Sequence, residues 1–255
     1  MSELVINHII EKKFIEIDNR LISYQEIGEG ESIVLIHGLG TSSDSWSQNI
    51  LELSKCGKVY AVDMPGFGES CNIDEVLCSQ EIAKVIYDWC RALKIKKATF
   101  IGHSFGGEVC LWIAVKHKKI VRAIVLAAST GLNEQFSLVE RFKNLMVDGF
   151  REPTFFMTKL FKSYWKAGAR RILLTAQKST NTKITKFLAK IKVPVLVVFG
   201  TKDPVIIYEE SIETLKKIND VTIEVIDATH GIIFESPDLF NQAVCKFLHR
   251  VHHGI

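Results

Sequence analysis

The fold of this chain is decided by one stretch, which reads Ile101-Gly102-His103-Ser104-Phe105-Gly106-Gly107. It has the pattern Gly-x-Ser-x-Gly and lies between an apolar run, 98–101, and a run with helical character, 108–117. A strand, a sharp turn and a helix in that order lift a serine hydroxyl above the end of a sheet, where a base can reach it. The pattern predicts that Ser104 is a nucleophile and that the Phe105 amide points to the position of an oxyanion. The alternative is an ordinary serine in a glycine-rich turn.

Apolar runs and helical patterns alternate along most of the chain. Runs typical of buried strands cover 32–36, 59–64, 98–101, 121–127, 193–199 and 222–226, and helical patterns cover 44–53, 79–93, 105–117, 208–218 and 237–251. This alternation predicts an α/β fold with a mostly parallel central sheet of about eight strands, flanked by helices. A hairpin over 14–27, turning at Asp18-Asn19, adds antiparallel strands at one edge.

The alternation stops once, between residues 131 and 190, where no strand-like run occurs. An insertion after a strand lies over the carboxyl ends of the sheet, where open α/β sheets bind ligands. We therefore predict a hydrolytic or binding core over 1–130 and 191–255, with a helical cap over 131–190. Aromatic and aliphatic residues four apart in 156–165 predict an apolar helix face, which packs on the core, lines an acyl pocket or, as the weakest alternative, lies on a membrane.

The composition is that of a globular protein, with 47% hydrophobic and 24% charged residues in a chain of 255. Polar residues interrupt the apolar residues of the N-terminal segment, which is not typical of a signal peptide. No apolar run approaches the length of about 20 residues that a membrane span needs. We expect a cytoplasmic protein with no transmembrane segment. The six cysteines show no Cys-x-x-Cys spacing, so neither a disulfide framework nor a metal site is expected, and Cys90 and Cys110 are predicted core residues.

A serine nucleophile needs a base and a group that orients the base. Asp203 follows the strand at 193–199, and His230 follows the strand at 222–226. The resulting order of nucleophile, acid and histidine is that of α/β hydrolases, so Ser104, Asp203 and His230 are the predicted triad. His37 is the rival base, and Asp227 is a weaker candidate for the acid because it lies so close to His230 in sequence.

The second oxyanion donor is predicted in the turn that follows the first buried strand. This turn reads His37-Gly38-Leu39-Gly40, and its small residues let backbone amides approach a ligand. The Leu39 amide is the candidate, together with that of Phe105. A plain glycine turn is the alternative.

Five motifs in this order resemble those of the α/β-hydrolase superfamily, and in particular its capped bacterial serine hydrolases. They are the turn at 37–40, Asp63-Met64-Pro65-Gly66-Phe67-Gly68-Glu69-Ser70, the serine motif at 102–107, Gly200-Thr201-Lys202-Asp203-Pro204, and Ala228-Thr229-His230-Gly231. The resemblance runs nearly from end to end and implies the fold, the triad and an acyl-enzyme mechanism without metal or organic cofactor.

The resemblance also narrows the chemistry. A serine at position 104 differs from the aspartate of dehalogenases and epoxide hydrolases. The sequence after His37-Gly38 lacks the Gly-Pro-Gly of many carbon–carbon bond hydrolases and the His-Gly-Gly-Gly of lipases. Hydrolysis of a carboxylic ester with a small or medium acyl group is favoured. The alternatives are a thioesterase, a carbon–carbon bond hydrolase with the same triad, and a ligand receptor without catalysis.

The predicted cap is strongly basic, with twelve basic and four acidic residues over 131–190. These charges are either solvated or bind an acidic partner. Capped esterases that act on acyl chains carried by an acidic carrier protein, such as pimeloyl-carrier-protein methyl esterases, resemble this arrangement. The candidate contact residues are Arg141, Arg151, Arg170, Arg171, Phe156 and Trp165. No nucleic-acid motif occurs, and a monomer or dimer is expected.

Overall fold

The computed structural model describes residues 10–70, 74–132, 164–181 and 183–254. One sheet of eight strands forms the centre of this part of the chain. The strands are β1 (Lys13–Ile17), β2 (Arg20–Ile27), β3 (Ser32–Ile36), β4 (Lys58–Val62), β5 (Ala98–His103), β6 (Val121–Ala127), β7 (Val195–Gly200) and β8 (Val221–Ile226). The helices are α1 (Ile50–Leu53), α2 (Ser79–Ala92), α3 (Phe105–Lys116), α4 (Ala169–Thr180), α5 (Tyr208–Leu215), α6 (Ile232–Glu235) and α7 (Pro237–His253).

The strand order is β1-β2-β4-β3-β5-β6-β7-β8, and all pairs from β4 onward are parallel. The N-terminal hairpin pairs antiparallel, β1 with β2 and β2 with β4, which confirms the prediction for this edge. Its turn residues Asp18 and Asn19 both have positive φ, 48° and 61°. A two-residue turn of that kind matches the twist of the strands it joins, and Asp and Asn tolerate it best after glycine.

Two apolar cores cover the two faces of the sheet. Alternate residues of β3 divide between them, with Val34 and Ile36 in one core and Ile33 and Leu35 in the other. Helices α2 and α3 pack on the first face, and α1 and α7 pack on the second. Both faces of the central strands are therefore buried, as the continuous apolar runs predict. The predicted core residues Cys90 and Cys110 are fully buried.

One predicted helix is wrong in form. Residues 44–53 form a 3-10 turn, Ser43–Trp46, and the short α1 instead of one continuous helix. The Ser43 amide donates to the Asp63 side chain over 2.6 Å, so a contact from a distant loop fixes the start of the segment. Periodicity within the segment contains no information about that contact.

The predicted cap segment enters between β6 and β7. Its described part comprises helical residues 164–167, α4, and two 3-10 turns at Ile184–Lys186 and Leu188–Lys190. The predicted partner residues Arg141, Arg151 and Phe156 lie outside the described residues.

Candidate active site

The turn between β5 and α3 holds Ser104 in a rare backbone conformation, with φ 51° and ψ −118°. Non-glycine residues occupy such conformations only when the surrounding structure enforces them, and they cluster at functional sites. Here the Ser104 amide donates to the carbonyl of Ala127, and its carbonyl accepts from the amides of Gly107 and Thr130. Hydrogen bonds on both sides of the residue therefore keep its side chain at the carboxyl edge of the sheet.

Close backbone packing explains the glycines around Ser104. A Cβ at Gly102 would lie 2.3 Å from the Gly106 carbonyl oxygen, and one at Gly106 would lie 2.3 Å from that of Ile36. A Cβ at Gly107 would lie 2.1 Å from the Oγ of Ser129. The first turn of α3 thus approaches β3 and β5 more closely than any side chain allows.

The structure brings Ser104, His230 and Asp203 together in a line of hydrogen bonds. Ser104 Oγ lies 2.9 Å from His230 Nε2, and His230 Nδ1 lies 2.9 Å from Asp203 Oδ2. The other carboxylate oxygen of Asp203 accepts from the amides of Val205 and Ile206 over 2.7 and 2.9 Å. This carboxylate is fully buried. Because both of its oxygens accept hydrogen bonds, its orientation toward the imidazole is fixed.

The loops that carry the acid and the histidine pack tightly on each other. A Cβ at Gly200 would lie 2.4 Å from the Ala228 carbonyl oxygen, so only glycine permits this approach. The Thr229 amide and hydroxyl both donate to Glu235 at the end of α6, over 2.6 and 2.7 Å. Glu235 therefore holds the backbone just before His230. Sequence reasoning did not single out Glu235, since its role depends on a contact six residues away.

The turn at 37–40 lies directly beside the serine. A Cβ at Gly38 would be 3.5 Å from Ser104 Cβ. The Gly38 carbonyl accepts from the Thr41 amide and hydroxyl and from His37 Nδ1. In a trans peptide the N–H points opposite to the C=O, so these bonds direct the Leu39 amide to the other side of the peptide. Among the described residues, the amides of Leu39 and Phe105 donate to no protein acceptor.

His37 organises this turn. Its Nε2 accepts from the Met64 amide over 2.9 Å, which places the ring proton on Nδ1 and directs it to the Gly38 carbonyl. Burial lowers the pKa of His37, so the ring is neutral at pH 7. Both of its nitrogens are occupied by the backbone. The rival prediction of His37 as the base therefore has no support in this geometry.

Asp63 fixes the neighbouring loop, which reads Asp63-Met64-Pro65-Gly66-Phe67-Gly68-Glu69-Ser70. Its carboxylate accepts from the amides of Ser43 and Glu69 over 2.6 and 2.9 Å and lies 3.5 Å from Lys12 Nζ. Burial opposes its ionisation, yet Lys12 and these amides together lower the pKa of Asp63. The ionised carboxylate thus ties three segments together behind the turn at 37–40.

The ring of His103 lies beneath the loop that carries His230. Its Nε2 is 2.9 Å from the His230 carbonyl oxygen, and the two rings are 5.3 Å apart. Burial, reinforced by the nearby His230, lowers the pKa of His103 to about 3. A neutral His103 therefore supports the His230 backbone. The position just before the serine was visible in the sequence, but this contact spans 127 residues.

Asp227, the weaker candidate for the acid, lies on the protein surface. Its carboxylate pairs with Lys202 over 2.7 Å and accepts from the Thr201 hydroxyl. Its side chain is 70% exposed, whereas that of Asp203 is fully buried. Only Asp203 among these two contacts the imidazole.

The described part of the predicted cap contacts the turn at 37–40 through Tyr164. A Cβ at Gly40 would lie 2.5 Å from the Tyr164 ring, so the ring rests on the backbone there. Burial raises the pKa of Tyr164 to about 12. Trp165, the predicted contact residue next to it, is 81% exposed. The structure thus brings Tyr164, instead of Trp165, to the candidate site.

The two predicted arginines in the described part of the cap differ in their surroundings. Arg171 donates to the Glu75 carbonyl over 2.7 Å and lies against Gly66. Arg170 is exposed. Their role in binding a partner stays a prediction.

Within the described ranges, no group of three or more His, Cys, Asp or Glu side chains could hold a metal ion. In the same ranges no helix is both long and apolar enough to cross a membrane.

Comparison with known proteins agrees with this architecture. Residues 31–158 match the family described as alpha/beta hydrolase fold. The chain belongs to this family. This α/β hydrolase is 28% identical over 252 residues to the 2-hydroxy-6-oxo-6-(2'-aminophenyl)hexa-2,4-dienoic acid hydrolase of Metapseudomonas resinovorans, covering 89% of this chain and 87% of the relative.

Two solved structures show the breadth of the fold. A serine hydrolase involved in carbazole degradation superposes with a TM-score of 0.81 at 26% identity, covering 94% of this α/β hydrolase and 98% of that chain. A thermophilic esterase from Thermogutta terrifontis superposes with a TM-score of 0.82 at 22% identity, covering 95% and 99%. The matched relatives include hydrolases, and the esterase shares the fold.

Proposed function

We propose that this α/β hydrolase cleaves a carboxylic ester through an acyl-enzyme intermediate on Ser104. One observation carries the proposal: the continuous hydrogen bonds from Ser104 Oγ to His230 Nε2 and from His230 Nδ1 to Asp203 Oδ2, each 2.9 Å long. A hydroxyl becomes nucleophilic when a base within hydrogen-bond reach takes its proton, and an orienting carboxylate keeps the base in the correct tautomer.

In the first half of the reaction, Ser104 Oγ attacks the ester carbonyl as His230 Nε2 takes its proton. The charge that develops on the carbonyl oxygen is stabilised by the amides of Leu39 and Phe105, which have no protein acceptor among the described residues. Removal of one such donor typically costs about 3 kcal/mol of transition-state stabilisation. His230 then gives its proton to the leaving alcohol, and the acyl group remains on Ser104.

In the second half, water attacks the acyl-enzyme. His230 takes a proton from this water, and the same two amides stabilise the second oxyanion. Collapse of the intermediate breaks the bond to Ser104 Oγ, which regains the proton from His230, and the acid leaves. Asp203 stays ionised throughout and stabilises the imidazolium in both halves.

A second candidate is cleavage of a carbon–carbon bond by the same three residues. It is favoured by relatives that hydrolyse dienoic acids, from Metapseudomonas resinovorans at 28% identity and Comamonas testosteroni at 25%. The segment after His37-Gly38 argues for the ester instead, because it reads Leu39-Gly40-Thr41-Ser42 and lacks the Gly-Pro-Gly of many carbon–carbon bond hydrolases.

The first experiment measures hydrolysis of p-nitrophenyl esters, from acetyl to dodecanoyl, by the wild type and by Ser104→Ala. We expect the variant to lose roughly 10⁴-fold or more in kcat, because attack and acyl transfer both need the hydroxyl. The acyl chain length that is hydrolysed fastest indicates the length of the acyl pocket. Equal residual rates in both proteins would exclude Ser104 as the nucleophile.

The second experiment separates the two candidates by their substrates. The wild type is given matched 2-hydroxy-6-oxodienoate and ester substrates, and kcat/KM is compared. A preference for the ester supports the proposal, and a preference for the dienoate selects the second candidate. Binding of both without turnover would indicate a ligand receptor. Covalent labelling of Ser104 by a fluorophosphonate serves as the control for a competent nucleophile.

A further inference from the structure

Two of the cysteines lie in contact although they are far apart in sequence. Cys56 lies between α1 and β4, and Cys245 lies in the middle of α7. Their Sγ atoms are 2.7 Å apart, and both residues are half-buried. Solvent-borne reagents can therefore reach a pair of thiols that the fold has already brought together.

Other contacts hold the two thiols at this spacing. Asn241, one helical turn before Cys245, lies on the same face of α7. Its amide group accepts from Asn49 over 3.0 Å and donates to the Gln48 carbonyl over 3.2 Å, just before α1. At the other end of α1, the Cys56 amide donates to the Leu53 carbonyl over 2.9 Å. Helix α7 thus lies along α1, with a polar contact at one end and the thiol pair at the other.

The surroundings of Cys56 favour its thiolate. A hydrogen bond with Cys245 lowers the pKa of Cys56 against the opposing effects of burial and of Glu52, and the neighbouring Lys55 also lowers it. Burial raises the pKa of Cys78, Cys90 and Cys110 instead. Since the thiolate is the species that attacks a disulfide, Cys56 is the candidate nucleophile of the pair.

We propose that Cys56 and Cys245 are a thiol-oxidation site, at which a low-molecular-weight disulfide such as oxidised glutathione forms an intramolecular cross-link. The Cys56 thiolate attacks one sulfur of the reagent, which gives a mixed disulfide and releases one molecule of glutathione thiolate. The Cys245 thiolate then attacks the Cys56 sulfur and releases the second. The two thiols of the protein are oxidised, the disulfide of the reagent is reduced, and the two protons pass through solvent to the released thiolates.

The cross-link joins α7 covalently to the segment after α1 and closes a loop that contains Ser104, Asp203 and His230. Closing a long loop restricts the unfolded chain far more than the folded one, in which the thiols are already adjacent. The expected consequence is a more stable fold with little change in the candidate site, because neither cysteine belongs to it.

The experiment treats the full-length, reduced protein with oxidised glutathione and maps its peptides under non-reducing conditions. We expect a peptide that joins Cys56 to Cys245, the loss of two hydrogen masses from the intact chain, and a melting temperature raised by about 5–10 °C. Dithiothreitol restores the starting values. Peptide mapping is done on the wild-type protein, so the result does not depend on whether a variant folds.

Matched variants assign the effect to this pair. Cys245→Ser is expected to stop at the mixed disulfide of Cys56 and to show no rise in melting temperature. Cys78→Ser removes another half-buried cysteine and is expected to behave like the wild type. The proposal is overturned if the oxidised wild type contains no peptide joining positions 56 and 245, or if Cys245→Ser gains the same stability.

Discussion

At the residue scale, Ser104 combines a strained backbone with a positioned side chain. Its φ of 51° and ψ of −118° suit glycine, and a conformation of this kind costs a non-glycine residue about 1–3 kcal/mol. The amides of Gly107 and Thr130 and the carbonyl of Ala127 hold it there. Packing of the surrounding strands therefore supports a geometry that the residue alone would not adopt.

This strain predicts opposite effects on activity and stability. Ser104→Gly is expected to abolish hydrolysis and to raise the free energy of unfolding by about 1–2 kcal/mol relative to Ser104→Ala. Both variants lose the hydrogen bond to His230, so their difference isolates the backbone conformation. Urea denaturation of the two variants measures it. Equal stabilities would show that the turn stores no strain.

The buried histidines predict a loss of stability in acid. The pKa of His103 is about 3 in the folded protein and about 6.5 in an unfolded chain. Between these values the unfolded chain binds a proton that the folded chain does not, so the free energy of unfolding falls as pH decreases from 6.5 toward 3. His37 acts in the same direction, because burial lowers its pKa too.

The measurement is urea denaturation at several pH values from about 7 to 4. His103→Gln is expected to show a shallower dependence on pH than the wild type, since it has no group to protonate there. His249→Gln, at an exposed position, is the control and should keep the wild-type slope. An unchanged slope in His103→Gln would contradict the lowered pKa.

At the element scale, Glu108 connects helix α3 to its neighbours. It lies one turn into α3, is buried, and accepts from the hydroxyl of Ser79 over 2.6 Å and from that of Thr130 over 3.1 Å. The Ser79 amide in turn donates to Ser179 of α4 over 2.9 Å. The carboxylate of Glu108 thus links the start of α2 to the segment after β6, and Ser79 extends this network to α4.

Glu108→Gln is expected to lower the free energy of unfolding by about 1–3 kcal/mol, because the amide group puts a donor where two hydroxyls need an acceptor. Glu213→Gln is the matched control on α5. It removes an exposed charge paired with Lys216, and a change within about 0.5 kcal/mol is expected. Thermal and urea unfolding of both variants provide the test. Similar small effects would mean that these two contacts of Glu108 add no stability.

At the scale of the whole molecule, the charge of the predicted cap has partners within the chain. Lys166 pairs with Glu69 over 2.7 Å, and Lys178 pairs with Glu81 over 3.3 Å. Glu69 lies between β4 and α2, and Glu81 lies in the first turn of α2, so both are on the core. Part of the basic character of 131–190 is therefore complementary to the core, and an acidic carrier protein stays a prediction for residues such as Arg170.

The combined reversal Glu69→Lys and Glu81→Lys tests this complementarity. We expect the free energy of unfolding to fall by only about 1–2 kcal/mol, because the pairs are exposed. We also expect KM to rise and proteolytic cleavage within 131–190 to become faster. These effects should shrink at high ionic strength, where exposed charges are screened. The combined reversal Glu16→Lys and Glu29→Lys, at two exposed positions elsewhere on the core, controls for net charge. If the variant at Glu69 and Glu81 has the same stability, KM and proteolysis rate as this control, the two ion pairs have no electrostatic role.

The sequence by itself determined the alternation of strands and helices, the antiparallel edge, and the order of Ser104, Asp203 and His230. Local patterns in the sequence predict these features: apolar runs, residues that favour turns, and glycines where backbones approach each other. Strands β3 and β6 match their predicted bounds, 32–36 and 121–127.

Only the tertiary structure decided the features that depend on contacts between distant segments. Asp63 fixes the start of the segment at 43–53, His103 supports the His230 loop, and Cys56 meets Cys245 across 189 residues. Each of these contacts joins elements that are neighbours only after the sheet has formed. No local pattern encodes them, because their energies come from burial and hydrogen bonding between residues that the unfolded chain keeps apart.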